Sequence, residues 1–214
     1  MTMTRLRWIL LLVPALALLL AACGGDNTDG TGNAVSTSTP TTTLATSTPQ
    51  HQGHSMASPE AGEDPDLHFI DAMIVHHQSA VAMAEAVKDT AEHQEIRDVA
   101  AEIIAAQERE IEQMRAWRDE WFAGAPESDL SAMMDMPGMS MSDADMEMLA
   151  QSDAPDEVFI DMMIPHHQSA IDMAKEIQQT TERPELQQLA EEIITAQQAE
   201  IDQMEQWRAE WFGE

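Results

Sequence analysis

Apolar positions from Asp66 onward recur at helical spacing. Phe69, Met73, His76, Ala80, Met83 and Val87 follow one another at intervals of 4, 3, 4, 3 and 4 residues. Ile70, Ile74, His77, Val81 and Ala84 form a second stripe beside the first. Together they predict a helix with a broad buried face. A further face, Ile96, Ala100, Ile103, Gln107, Ile111, Met114 and Trp121, predicts a second helix. The pattern then repeats. Asp66 to Phe122 aligns without gaps with Asp156 to Phe212 at an offset of 90, and 31 of 57 pairs are identical. His76-His77-Gln78-Ser79-Ala80 and His166-His167-Gln168-Ser169-Ala170 are the longest match. Such self-similarity marks an internal duplication. Pro65, Pro155 and Pro184 stand where first-turn prolines are tolerated, and Gly124 and Gly213 stand at stop positions.

Two duplicated αα-hairpins predict an all-α protein, a four-helix bundle with repeats at 65–122 and 155–212 inside a folded region 65–214. No alternating pattern suggests a strand. The joint at 123–154 is rich in methionine: Met133, Met134, Met136, Met139, Met141, Met146 and Met148. Pro137-Gly138 signals a turn, and Ser142-Asp143-Ala144-Asp145 can cap a short helix over 143–151.

Residues 1–22 read as an export signal: Arg5 and Arg7, then the apolar run Trp8 to Leu20. Leu20-Ala21-Ala22-Cys23 resembles a bacterial lipobox, which implies cleavage before Cys23 and its lipidation. The expected location is the outer face of the cytoplasmic membrane or the outer membrane. Residues 23–64 hold the lipidated cysteine and a Ser/Thr/Pro/Gly-rich tether, too poor in apolar residues to offset the entropy of ordering.

Composition narrows the function. The 214 residues carry 10 Lys+Arg against 39 Asp+Glu, a net charge of −29. That leaves no cationic surface for nucleic acid. A single Cys excludes a disulfide framework and cysteine-based zinc sites. Acids such as Asp71, Glu85, Glu92, Glu95 and Glu102 read as a solvated face. Trp117, Trp121, Trp207 and Trp211 read as closing the bundle ends. No nucleophile–base pair or phosphate loop is visible, so a binding protein is expected rather than an enzyme.

The candidate chemistry lies on the packed faces. Unit one places Met73, His76, His77, Met83, Gln107, Glu110 and Met114 there, and unit two places Met163, His166, His167, Met173, Gln197, Glu200 and Met204. Burying such polar groups costs about 1–3 kcal/mol each when unpartnered. Either they satisfy one another or a metal does. Thioether and imidazole without thiolate suit Cu(I), with silver as a mimic. Gln107 and Gln197 would support the ligands from behind. The joint offers a second soft site in Met133, Met134, Met136, Met139 and Met141. An iron-using, ferritin-like oxidase built on Glu110, Glu200 and the His pairs is the alternative. It lacks the Glu-x-x-His motif of di-iron bundles: Met73, Ile74, Met163 and Ile164 stand three residues before the histidines. A metal-free envelope scaffold is the third reading. The expected partners are a metal ion, the membrane through the lipid anchor, and a copper-transfer protein.

Phe-x-x-x-Met-Ile-x-His-His-Gln-x-Ala-x-x-Met-Ala from residue 69, followed by Ile-Ile-x-x-Gln-x-x-Glu-Ile-x-x-Met from residue 103, resembles the domain of unknown function 305 family, also called CopM-like. The resemblance covers roughly residues 65–212. It implies a ferritin-like four-helix arrangement and, for some members, copper binding and resistance outside the cytoplasm. The motif positions it carries over are Met73, His76, His77, Met83, Gln107, Glu110 and Met114 with their counterparts in unit two. Val75 departs from the family's usual proline before the His pair, whereas Pro165 keeps it.

Overall fold

The computed structural model describes residues 63–134 and 136–213. The export signal, Cys23 and nearly all of the tether lie outside these residues. The described chain forms six helices and no strand: α1 (Pro65–Val87), α2 (Gln94–Trp121), α3 (Ser131–Met134), α4 (Asp143–Gln151), α5 (Pro155–Thr180) and α6 (Pro184–Phe212). The four long helices make two hairpins, α1 with α2 and α5 with α6, joined through α1 and α5. This is the expected four-helix bundle.

Local chemistry explains the boundaries. Pro65, Pro155 and Pro184 occupy first-turn positions. Asp64, assigned to the tether from sequence, caps α1 by accepting from Asp66 N at 2.9 Å. Ser142 and Asp145 form a reciprocal capping box on α4. Gly213 ends α6 at φ 77°, a left-handed conformation that glycine adopts without penalty. The four-residue α3 has no periodicity long enough to announce it.

α1 and α5 run antiparallel, and the duplication makes their ends exchange partners. Asp156, at the start of α5, accepts from Glu92 N and His93 N at 2.8 Å each and from His93 Nδ1 at 2.6 Å. The equivalent Asp66, at the start of α1, accepts from Arg183 Nε at 3.1 Å. Each unit therefore clasps the other's interhelix loop. Indole pairs stack at each end: Trp117 on Trp121 with centroids 5.0 Å apart, and Trp207 on Trp211 at 5.4 Å. Arg183 lies over the Trp121 ring at 4.3 Å, and His93 stacks on Trp211 at 3.8 Å.

Asp71 corrects the reading of the acids as uniformly solvated. Glu85, Glu92, Glu95 and Glu102 are exposed, but Asp71 is buried. It accepts from Arg118 Nε at 2.5 Å and from Ser128 N and Oγ at 3.0 Å each. Its counterpart Asp161 holds Arg208 in an exposed pair at 2.7 Å. The difference is the segment carrying Ser128, which covers the first pair.

Candidate metal centre

The antiparallel crossing of α1 and α5 brings both His-His pairs to mid-bundle. All four rings are fully buried. The His76 and His166 centroids are 3.8 Å apart, and within each pair the rings stand at 6.2 and 6.4 Å.

Hydrogen-bond partners indicate where the protons sit. His76 Nε2 lies 2.7 Å from Ser169 Oγ and 3.1 Å from Gly138 O. A carbonyl can only accept, so Nε2 carries the proton and Nδ1 keeps a lone pair. His77 Nε2 donates to Glu110 Oε2 at 2.6 Å. His167 Nε2 lies 2.7 Å from Glu200 Oε2, but off the line that a ring N–H needs for a hydrogen bond. Nδ1 of all four rings, Nε2 of His166 and His167, and Oε1 of Gln107 and Gln197 have no hydrogen-bond partner. His76 and His77 show the arrangement common in metal-binding histidines, with one nitrogen oriented by an oxygen acceptor and the other bare.

His76 and His166 are kept neutral. Burial, followed by the neighbouring imidazoles His77 and His167, holds the His76 pKa well below its ordinary value. Burial and then His76, His167 and His77 do the same to His166. A neutral imidazole is the ligating form.

Methionines flank this layer on both sides. Met73, Met114 and Met173 share one apolar cluster, while Met83, Met163 and Met204 share the other. All six are buried. Each set thus mixes the two units, because antiparallel helices send residues 90 apart to opposite ends. Glu110 and Glu200 sit at the edge, with side chains 20 % exposed. Among the described residues no three His, Cys, Asp or Glu side chains are arranged to hold a metal ion. Completion of a coordination sphere from these elements would fall to the thioethers.

The joint is less unified than its composition suggests. Met133, Met139 and Met136 join the first cluster, whereas Met141 and Met146 join the second. Met134 and Met148 are 39 % and 52 % exposed. Of the five methionines read as one soft site, Met133, Met136 and Met139 thus pack in one cluster, Met141 in the other, and Met134 is exposed. The joint is anchored on the serines of the duplicated motif. Ser169 Oγ lies 2.9 Å from Gly138 O and 2.8 Å from His166 O, and Met141 N donates to Ser79 Oγ at 3.2 Å. Gly138 (φ 82°) presses on Pro165 so closely that a Cβ would lie 2.6 Å from the Pro165 carbonyl oxygen. Sequence reasoning missed His68, which is buried and places Nε2 3.1 Å from Met133 Sδ. The available signal was its counterpart Val158, an apolar residue at the same helix position.

The sequence pattern of a domain of unknown function, DUF305, matches residues 66–208, about two thirds of the chain. The chain belongs to the DUF305 family. Solved DUF305-like structures share its fold. CopM in its Cu(I)-bound form is 40 % identical with a TM-score of 0.61, covering 70 % of this chain and 99 % of that one. CopM in its Cu(II)-bound form is 43 % identical with a TM-score of 0.61, covering 68 % and 97 %. A DUF305 protein from Streptomyces coelicolor is 30 % identical with a TM-score of 0.63, covering 70 % and 95 %. The uncharacterized protein L153 of Acanthamoeba polyphaga mimivirus is 47 % identical over 49 residues, 23 % of this chain and 32 % of that protein. The match thus spans about a third of that curated relative's length.

Proposed function

We propose that this DUF305 protein binds copper as Cu(I) through its central imidazoles and flanking thioethers, for sequestration or transfer, and that it is a binding protein rather than a catalyst. The observation that carries this is the set of buried imidazoles, each with an unpartnered ring nitrogen. In a metal-free bundle those atoms are a standing cost. With a soft cation they are ligands, and Nε2 of His76 and His77 is already oriented by an oxygen acceptor. Similarity to copper- and silver-bound CopM supports the same reading. The Leu20-Ala21-Ala22-Cys23 segment supports export and a lipid anchor at Cys23, with the acidic bundle held off a membrane surface by its tether.

An anaerobic Cu(I) titration against a chromophoric Cu(I) chelator tests this. Competition at sub-micromolar free copper with a defined stoichiometry is expected. Absence of competition would overturn the proposal. Oxygen consumption on adding Fe(II) or Cu(I) would instead favour an oxidase built on the His77–Glu110 and His167–Glu200 pairs.

A further inference from the structure

We infer that Ser169 is a positioning residue: with the Gly138 carbonyl it holds His76 in the Nε2–H tautomer, leaves Nδ1 as the metal-facing nitrogen, and so links metal loading to the seating of the joint. The tautomer stands on hydrogen bonds alone, whereas the link to metal rests on the copper reading. His76 Nε2 lies 2.7 Å from Ser169 Oγ and 3.1 Å from Gly138 O. Ser169 Oγ lies 2.9 Å from Gly138 O and 2.8 Å from His166 O. With the proton on Nε2, the ring donates to Ser169 Oγ, and the hydroxyl passes its own proton to one of the two carbonyls. Each contact then has a donor and an acceptor, and His76 Nδ1 is left as a bare lone pair. With the proton on Nδ1, the Nε2 lone pair would face the Gly138 carbonyl oxygen, and a buried N–H would have no acceptor. Orphaned buried donors are the rarer and costlier case.

The duplicated serine does something else. Ser79 follows His76 by three residues, as Ser169 follows His166. Yet Ser79 Oγ accepts from Met141 N at 3.2 Å, and both nitrogens of His166 lack a partner. A single joint crosses the layer, so Gly138 meets the ring of His76 and not that of His166. Residues 138–141 are thus fastened at one end to the Ser169–His76 pair and at the other to Ser79. A cation on Nδ1 draws charge from the ring and makes Nε2–H a stronger donor to Ser169 and Gly138 O. Metal at His76 therefore tightens the joint, and by reciprocity a seated joint tightens the metal.

The test uses the full chain labelled with 15N. NMR of the metal-free protein at neutral pH locates the proton on each imidazole. A single Nε2–H form of His76 is expected. Ser169→Ala should bring up an Nδ1–H form absent from the wild type, whereas Ser79→Ala should leave the His76 tautomer unchanged. Ag(I) is then added as a diamagnetic probe. His76 Nδ1 should couple to silver with Nε2 still protonated, and hydrogen exchange at the Met141 amide should slow about fivefold or more. In Ser169→Ala that slowing should be lost. A proton on Nδ1 of His76 in the metal-free wild type, alone or together with one on Nε2, would overturn the inference. So would a single Nε2–H form that survives Ser169→Ala, or an equal tautomer change in Ser79→Ala. Silver on Nε2, or Met141 exchange unmoved by bound silver, would do the same. Failure of the copper reading would look different: none of the four central imidazoles would respond to Ag(I), and the metal-free spectra would still decide the tautomer.

Discussion

The rings of His76 and His166 lie 3.8 Å apart at the point where α1 crosses α5, and Nδ1 of neither ring has a hydrogen-bond partner. Two residues 90 positions apart thus meet across the pseudo-twofold relation created by the duplication. The meeting converts two weak sequence signals, each a buried His pair, into one layer of buried imidazoles bounded by thioethers.

Thioether ligation and thioether packing can be separated. Met-to-Leu changes nearly conserve volume and usually cost less than about 1.5 kcal/mol. Met73→Leu combined with Met173→Leu should therefore leave helicity and cooperative melting intact. Cu(I) affinity should fall at least tenfold in chelator competition. Unchanged affinity would make these residues core filler.

Gly138 should be far less replaceable than Gly124. Both have positive φ, 82° and 80°, but a Cβ at Gly138 meets the Pro165 carbonyl oxygen while one at Gly124 meets nothing within 4 Å. Gly124→Ala should cost only the left-handed backbone penalty, about 1–2 kcal/mol. Gly138→Ala adds a steric clash and should lower the melting temperature further, unseating the joint from Ser169 and His76. Equal melting temperatures for the two variants would contradict the close seat.

The metal-free protein should lose stability in mild acid. His76 and His166 have folded-state pKa values well below the ordinary 6.5. Below that value the unfolded chain binds more protons than the folded one. Their contribution is thus fully present above about pH 6.5 and is lost as pH falls toward the folded values. Denaturant midpoints measured with a metal chelator should fall from pH 7 to pH 5. The slope should weaken when both residues are replaced by Leu.

The clasp between the units should be unequal. Asp156 receives three donors, and Asp66 one from Arg183 and none from the loop backbone. Asp156→Ala should cost about 1–3 kcal/mol, as expected for stranding partly buried donors. Asp66→Ala should cost visibly less by denaturant titration.

Much of this was legible in the sequence. The 90-residue offset, the helical spacing, the prolines and the Ser142 capping box announced the hairpins and α4. The identity of Met73, His76, His77 and their counterparts announced polar chemistry on packed faces, but not that the two His pairs meet in one layer. What remained hidden depends on docking. Antiparallel packing groups Met73 with Met173 rather than with Met83, and no local pattern encodes that. Asp71 and Asp161 are the same residue in the same motif, yet only the first is covered by the segment carrying Ser128. His68 escaped because its partner lies 65 residues away in an irregular joint.

The most direct test of the central claim is His166→Leu. Both ring nitrogens of His166 lack partners in the metal-free bundle. Replacing the ring by an apolar side chain of similar size removes a buried, unsatisfied group and should leave metal-free stability unchanged or raised. Cu(I) affinity, measured anaerobically against a chromophoric chelator, should fall at least tenfold. A variant that keeps wild-type Cu(I) affinity would contradict the account.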